Sequence, residues 1–455
     1  MTNATAAAAT ANVTYPEGVT QILNRGLVMT LAAFGPEWLR DRRLHAWDVY
    51  EQTPMPTTRL EEWRYTDLKK KLDLHALVWA QKTACHDDIS ACPEGLRNTM
   101  REDHAASGHL WGIDGQVIHV DLDEELASNG VILMSLKQAA KAHPALIQEH
   151  LATEALPPEQ GKLEALNAAL WTDGIFLYVP RGVRLDLPIR ITRWISQPGA
   201  AFFSRALIVA EAGSQVSYVD EILSEDLQAQ TFVSSGVEVI AREGAQVQYV
   251  SLQRLGRGAF HHSSQRTLAG RDSTLDTLNV SMGASVSRVD LNTRLLGPGA
   301  NSDMLGLYFG DGDQHFDHNT SQDHLAPNTS SDLLYKGALD FQSRSVFRGV
   351  IRVHKGAQKT DAYQTNRNLL LSDDARADSL PNLEIQADDV RCSHGATVGQ
   401  LDAESRFYLM SRGLSREQAE RLVVLGFLGE VLSRLPLGGV VEKVTRVIEE
   451  KLRQV

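Results

Sequence analysis

The chain has 455 residues, 43% hydrophobic and 22% charged, with a formal net charge of -12. That is the make-up of a soluble globular protein of two or three domains. The acidic balance argues against nucleic acid or an anionic membrane surface as the main partner, and no apolar run approaches the roughly 20 residues that span a bilayer. Three cysteines, Cys85, Cys92 and Cys392, are too few for a disulfide framework and point to a reducing compartment, the cytoplasm.

Residues 1–16 lack a basic stretch followed by an apolar one and read as a disordered tail. Residues 17–165 read as a mostly helical region. Apolar residues recur every three to four positions through 18–52, and Pro54 and Pro56 close that run. The stretch "LPPEQGKLEALNAALWTDG" (156–174) reads as a Pro-marked linker and a short helix, hence as a boundary.

From about residue 175 the grain changes, and 166–402 reads as one β core. "IFLYVP", "LPIRITRWI", "RALIVAE", "SQVSYVDEI", "GVEVIAR" and "AQVQYVSLQRL" are short, β-branched or aromatic, and often alternating. A glycine followed at once by a new alternating segment recurs at Gly182, Gly213, Gly244, Gly270, Gly299 and Gly356, with gaps of 31, 31, 26, 29 and 57. The last gap is about two periods, and a near-constant period of this size marks a stacked-repeat architecture. A parallel β-solenoid, with each glycine turning a corner, is favoured over a β-sandwich with glycine turns.

Residues 403–455 return to helix. Ser415 and Gln418 have capping-box spacing, and Ala419, Leu422, Val423, Phe427, Val431 and Leu435 form one apolar stripe. Pro436, Gly438 and Gly439 break it, and Val441, Val444, Val447, Ile448 and Leu452 form a second. This hairpin either completes a local core or docks a partner.

Catalytic apparatus is sparse. Gly161-Lys162 lacks the upstream glycine of a P-loop, and there is no serine nucleophile elbow, H-E-x-x-H or C-x-x-C. His315, His318 and His324 with Asp313 and Asp317 could bind Zn or Fe. His315 and Asp317 share one strand face and His318 points the other way, and a wet solenoid face is the plainer account. The pair His261-His262 is a weaker signal. Cys85 and Cys92, with His86 beside them, are spaced too widely for a usual zinc motif and read as thiols. Cys392 and His394, two apart in an extended stretch, share a face but supply only two ligands. They become a metal site if a second subunit supplies the rest. A β-helix carbohydrate-active enzyme would need paired carboxylates, and the candidates Asp290, Asp303 and Asp317 show no partner pattern.

"RLEEWRYTDL" (59–68) and almost all of 335–419, including "HGATVGQLD" (394–402), resemble the SufB/SufD family of iron–sulfur cluster assembly proteins. The 394–402 version looks like the SufD branch. SufB typically carries His-Glu-Ala-Thr there and a cysteine near "FYLMSRG", where Leu409 and Met410 offer no thiol. The resemblance implies a mainly β fold, a right-handed parallel β-helix flanked by helical regions, acting as a non-enzymatic subunit. Its implied partners are a SufB-like paralogue, met through the β-helix, and a SufC-like ABC ATPase. The ATPase would dock on 403–455, with Leu422, Val423, Phe427 and Val431 as contact residues. Cys392 and His394 fall where nascent-cluster ligands are expected at the SufB–SufD interface, His394 ahead of Cys392. The resemblance implies no cofactor held stably by this chain alone. It allows a transient Fe–S cluster at the interface, reduced flavin in the complex and a homodimer of the isolated chain.

Overall fold

The computed structural model describes residues 21–453 except 84, 86, 87, 102–104, 436 and 438. The expected tail (1–16), His86, Pro436 and Gly438 therefore lie outside the described residues.

The first helical run is α1 (Arg25–Ala32) and α2 (Glu37–Gln52), parted at Gly35-Pro36 and ended just before Pro54. It continues as α3 (Leu68–Lys71), β1 (Val78–Trp79), α4 (Glu94–Arg101), β2 (Gly108–Ile113), β3 (Gln116–Leu122), α5 (Glu124–Ser128), β4 (Ile132–Ser135), α6 (Leu136–Ala142), α7 (Pro144–His150) and α8 (Lys162–Leu170). Helix dominates the region, as expected, but four short strands are interleaved with it. The alternating segments of β2 and β3 form an antiparallel hairpin that joins the main sheets, a tertiary pairing that helical periodicity does not register. The 156–174 stretch is also no solvent-exposed linker. Asn167 of α8 donates to the Ser204 and Ser234 carbonyls at 3.2 Å, and α8 is buried in a core shared with Phe203, Phe232 and Phe260.

Sixteen strands follow: β5 (Asp173–Val179), β6 (Ile189–Trp194), β7 (Ala200–Ala210), β8 (Gln215–Leu223), β9 (Thr231–Ala241), β10 (Gln246–Arg254), β11 (Ala259–Ala269), β12 (Thr274–Ser281), β13 (Val286–Leu295), β14 (Asn301–Gly310), β15 (His315–His324), β16 (Ser330–Leu339), β17 (Arg344–Val353), β18 (Asp361–Leu370), β19 (Arg376–Ile385) and β20 (Arg391–Gln400). Odd strands stack in one sheet and even strands in the other, each parallel to the strand two before it, giving eight turns of a parallel β-solenoid. A sandwich of hairpins is excluded by that order.

The repeat has a single physical cause. Two residues before each even strand from β8 to β18 the backbone enters the left-handed region, at Gly213 (φ 71°), Gly244 (66°), Asp272 (51°), Gly299 (77°), Asn328 (57°) and Lys359 (64°). Gly182 (72°) occupies the same corner one turn earlier. Glycine and, at lower cost than other residues, Asn and Asp tolerate this conformation. Gly270 and Gly356 stand off the corner, and Asn328 fills the turn that the double gap skips.

Both outer faces are covered. The N-terminal region packs on the odd-strand sheet. The C-terminal helices α9 (Ala403–Ser411), α10 (Arg416–Arg434) and α11 (Val440–Arg453) follow, and α10 and α11 bury Val424, Leu428, Leu432, Val444 and Ile448 against Leu278, Leu305, Leu307 and Leu334 of the even-strand sheet. Burying each such side chain is worth about 1.5–3 kcal/mol. Among the described residues, no helix is long and apolar enough to cross a membrane.

Candidate functional site

The first turn of the solenoid is closed. Strand β4 pairs antiparallel with β5, and the β2–β3 hairpin extends the other sheet beyond β6. The last turn is open. Among the described residues, strands β19 and β20 pair only with β17 and β18, so each presents a ten-residue edge with no described strand beyond it.

Register decides what that end displays. Cys392, His394, Ala396 and Val398 lie over Ala362, Gln364, Asn366 and Asn368, all buried inside the solenoid. Leu383 and Ile385 likewise lie over the buried Ile351 and Val353. These are interior positions with no further turn above them. Leu383, Ile385 and Val398 are consequently 36%, 41% and 44% exposed. A long, uncovered, apolar edge of this kind invites pairing with another chain.

Cys392 is half-buried against Ile351, Val353, Ala357 and Ala362. Burial pushes its thiol above the ordinary range, Asp361 adds to the rise, and the Ala362 N–H opposes it. The lone chain therefore holds a protonated thiol, and metal must displace that proton. His394 is exposed on the same face. The polar floor under it is Gln364, whose Nε2 donates to the Asn382 carbonyl at 3.2 Å while its Oε1 has no partner.

The other expected groups are dispersed. His315 is on the outer face of β15 and bonds to Thr66 at 2.8 Å. His318 points inward, stacks on Tyr308 and bonds to Ser281 at 3.1 Å. His324 is bonded to Thr329 and Ser331. The three do not converge on one ion. They are also not on a wet face, because all are buried, and burial holds His315 and His318 down to about 3 and His324 to about 4. Asp313 is exposed and pairs with Arg257. Asp290 and Asp317 are both bound to Arg288, whereas Asp303 pairs with Arg434 at 2.7 Å beneath the C-terminal helices. No acid–base pair forms among them.

Arg288 also explains the 59–68 motif. Its guanidinium stacks on Trp63 at 3.7 Å and donates to the Glu62 carbonyl at 2.8 Å, while Thr66 donates to Asp317. The motif is a hook that fastens the N-terminal region to the solenoid. Cys85 and Cys92 are buried as a disulfide, with Cα atoms 4.6 Å apart, and are not the free thiols expected from their spacing.

The apolar stripe of α10 is rotated from the expected one. The capping box of Ser415 and Gln418 is present, but Val431 is fully buried with Val424 and Leu428. Val423 and Phe427 are half-buried. Phe427 covers the Lys336 ammonium at 4.5 Å, and Lys336 is also paired with Glu430. Of the four expected contact residues only Leu422, 49% exposed, faces outward. The apolar groups that the sequence reading missed are Phe407, Tyr408 and Met410 of α9, 73%, 61% and 42% exposed. It also missed Leu383, Ile385 and Val398, which carrying the two-residue alternation to the last strands would have revealed.

Similarity to known proteins covers both the hook and the open end. Residues 29–191 match the SufBD protein N-terminal region, and 193–427 match the SUF system FeS cluster assembly, SufBD core domain. The chain is 32% identical over 422 residues to the iron–sulfur cluster assembly protein SufD of Bacillus subtilis, covering 92% of this chain and 95% of that one. It is 29% identical over 419 residues to an iron–sulfur cluster assembly SufBD family protein of Staphylococcus epidermidis, covering 90% and 88%. Hook, solenoid and open end fall together within the matched span, and the chain belongs to the SufBD family of iron–sulfur cluster assembly proteins.

Proposed function

We propose that the chain is the SufD-type subunit of a SufBCD-type complex and has no catalytic chemistry of its own. The observation that carries this reading is the uncovered interior at β19 and β20, which presents Cys392 and His394 beside Leu383, Ile385 and Val398. A SufB-like paralogue with a similar open end would continue both sheets and bury those apolar groups. Cys392 and His394 would then become half of a shared site for iron and sulfide, completed by the partner's groups.

A SufC-like ABC ATPase would seat on α9 and α10 through Phe407, Tyr408, Met410 and Leu422. Helix α10 is tied to the solenoid by Arg434, bound to Asp303 and Asp332 at 2.7 and 2.9 Å, and by the Lys336–Glu430 pair. ATP-driven movement of the helices would reach the joint through those ties. The test is His394→Ala in the purified complex. Cluster yield should fall with the complex intact, and an unchanged yield would overturn the ligand role. Removal of residues 403–455 should abolish capture of the ATPase while leaving the paralogue bound.

A further inference from the structure

A second cluster lies on the other side of the odd-strand sheet, where α8 crosses β11 and β13. His262 of β11 is 1% exposed, and neither ring nitrogen has a hydrogen-bond partner. Its Nε2 is 3.5 Å from an Asp290 oxygen and 3.8 Å from Glu164 Oε1. The gap to Glu164 is too long for a hydrogen bond, and the gap to Asp290 is at the outer limit for one. One donor atom from each of Glu164, His262 and Asp290 lies within 4.8 Å of the others. Bonds of about 2.0–2.2 Å to a common ion place neighbouring ligands about 3–3.5 Å apart, so His262 Nε2 already stands within a few tenths of an ångström of that spacing from each carboxylate.

The surroundings are those of an oriented donor set. Ser264 donates to Glu164 Oε1 at 2.6 Å, and Arg288 grips Asp290 through two nitrogens at 3.1 and 3.0 Å. Such outer contacts fix ligand orientation. Three carboxylates, Glu164, Asp290 and Asp317, surround the buried Arg288 guanidinium. Arg266 is directed to Gln160 and to the Gln265 and Asp290 carbonyls. The Glu164 and Asp290 side chains, 11% and 17% exposed, form the entrance.

We propose that Glu164, His262 and Asp290 bind one first-row divalent cation of the Fe²⁺, Mn²⁺ or Zn²⁺ class, with water completing its shell. One imidazole and two carboxylates suit that class. The ion would pin α8, and with it the N-terminal region, to β11 and β13. This site is separate from the open end and does not depend on the function proposed there.

The test uses the full-length chain carrying Cys392→Ala, which removes the open-end thiol, titrated with Co²⁺. One equivalent should bind, with weak visible bands, no thiolate charge-transfer band and a raised Tm. Glu164→Gln should weaken binding by about tenfold or more while the metal-free Tm stays close to the parent. His262→Gln should do the same, and if it fails to fold, Glu164→Gln decides alone. Absence of saturable binding in the parent, or undiminished affinity in Glu164→Gln, would overturn the proposal.

Discussion

The two ends of the solenoid are built from the same repeat and finish differently. At the first, Leu177 and Ile191 are buried because β4 and the β2–β3 hairpin, contributing Leu133 and Leu110, cover them. At the last, the equivalent interior positions Leu383, Ile385 and Val398 are uncovered. Stacked-repeat proteins need polar terminal caps to remain soluble. A chain that caps one end and leaves the other apolar is consistent with the joint proposed above.

The same substitution at each end gives the sharpest contrast. Leu110→Ala should cost about 2–5 kcal/mol, the range for a buried leucine that leaves a cavity, read as a loss of Tm. Leu383→Ala, at a site 36% exposed, should cost less than about 1 kcal/mol in the lone chain. If the end is a joint, the second substitution should weaken pairing with the paralogue in a titration. Equal stability costs at the two ends would break the comparison.

The ends differ in interior polarity as well. The first turns enclose Ile175, Leu177, Ile189 and Ile208, whereas the later turns enclose His318, Asn366 and Asn368. Burial holds His318 down to about 3, while the unfolded chain binds that proton near pH 6.5. Its contribution is therefore present above about pH 6.5 and is lost as pH falls towards 3. His318→Phe should lose about 2–3 kcal/mol less than the parent between pH 7 and pH 4.5, measured by denaturant unfolding. Parallel pH curves would show that His318 is not buried neutral.

The smallest effect tests the cladding near the open end. Ser415→Ala removes the capping box of α10 and should cost about 1 kcal/mol. Hydrogen exchange should register it in the first turn of α10, with the solenoid strands unchanged.

Much of this was legible in the chain. The glycine period announced the solenoid because a left-handed corner constrains residue type directly, and the turn without a glycine was still counted correctly. The opposite facing of His315 and His318 followed from strand alternation alone. The expected stripe on α10 was rotated because a helix seated on a sheet and carrying a buried Lys336 partner uses a face that periodicity cannot distinguish from its neighbour. Likewise, β2 and β3 are not legible as strands in the sequence because the pairing of β2 with β6 is decided across some 80 residues.

By itself, the sequence determined the repeat, its period, the helical flanks and the placement of Cys392 with His394 on one strand face, since each depends on local backbone geometry. Only the tertiary structure decided which of those faces is covered. Coverage depends on where the chain stops adding turns, and that exposes Leu383, Ile385 and Val398 while burying His262 between two carboxylates.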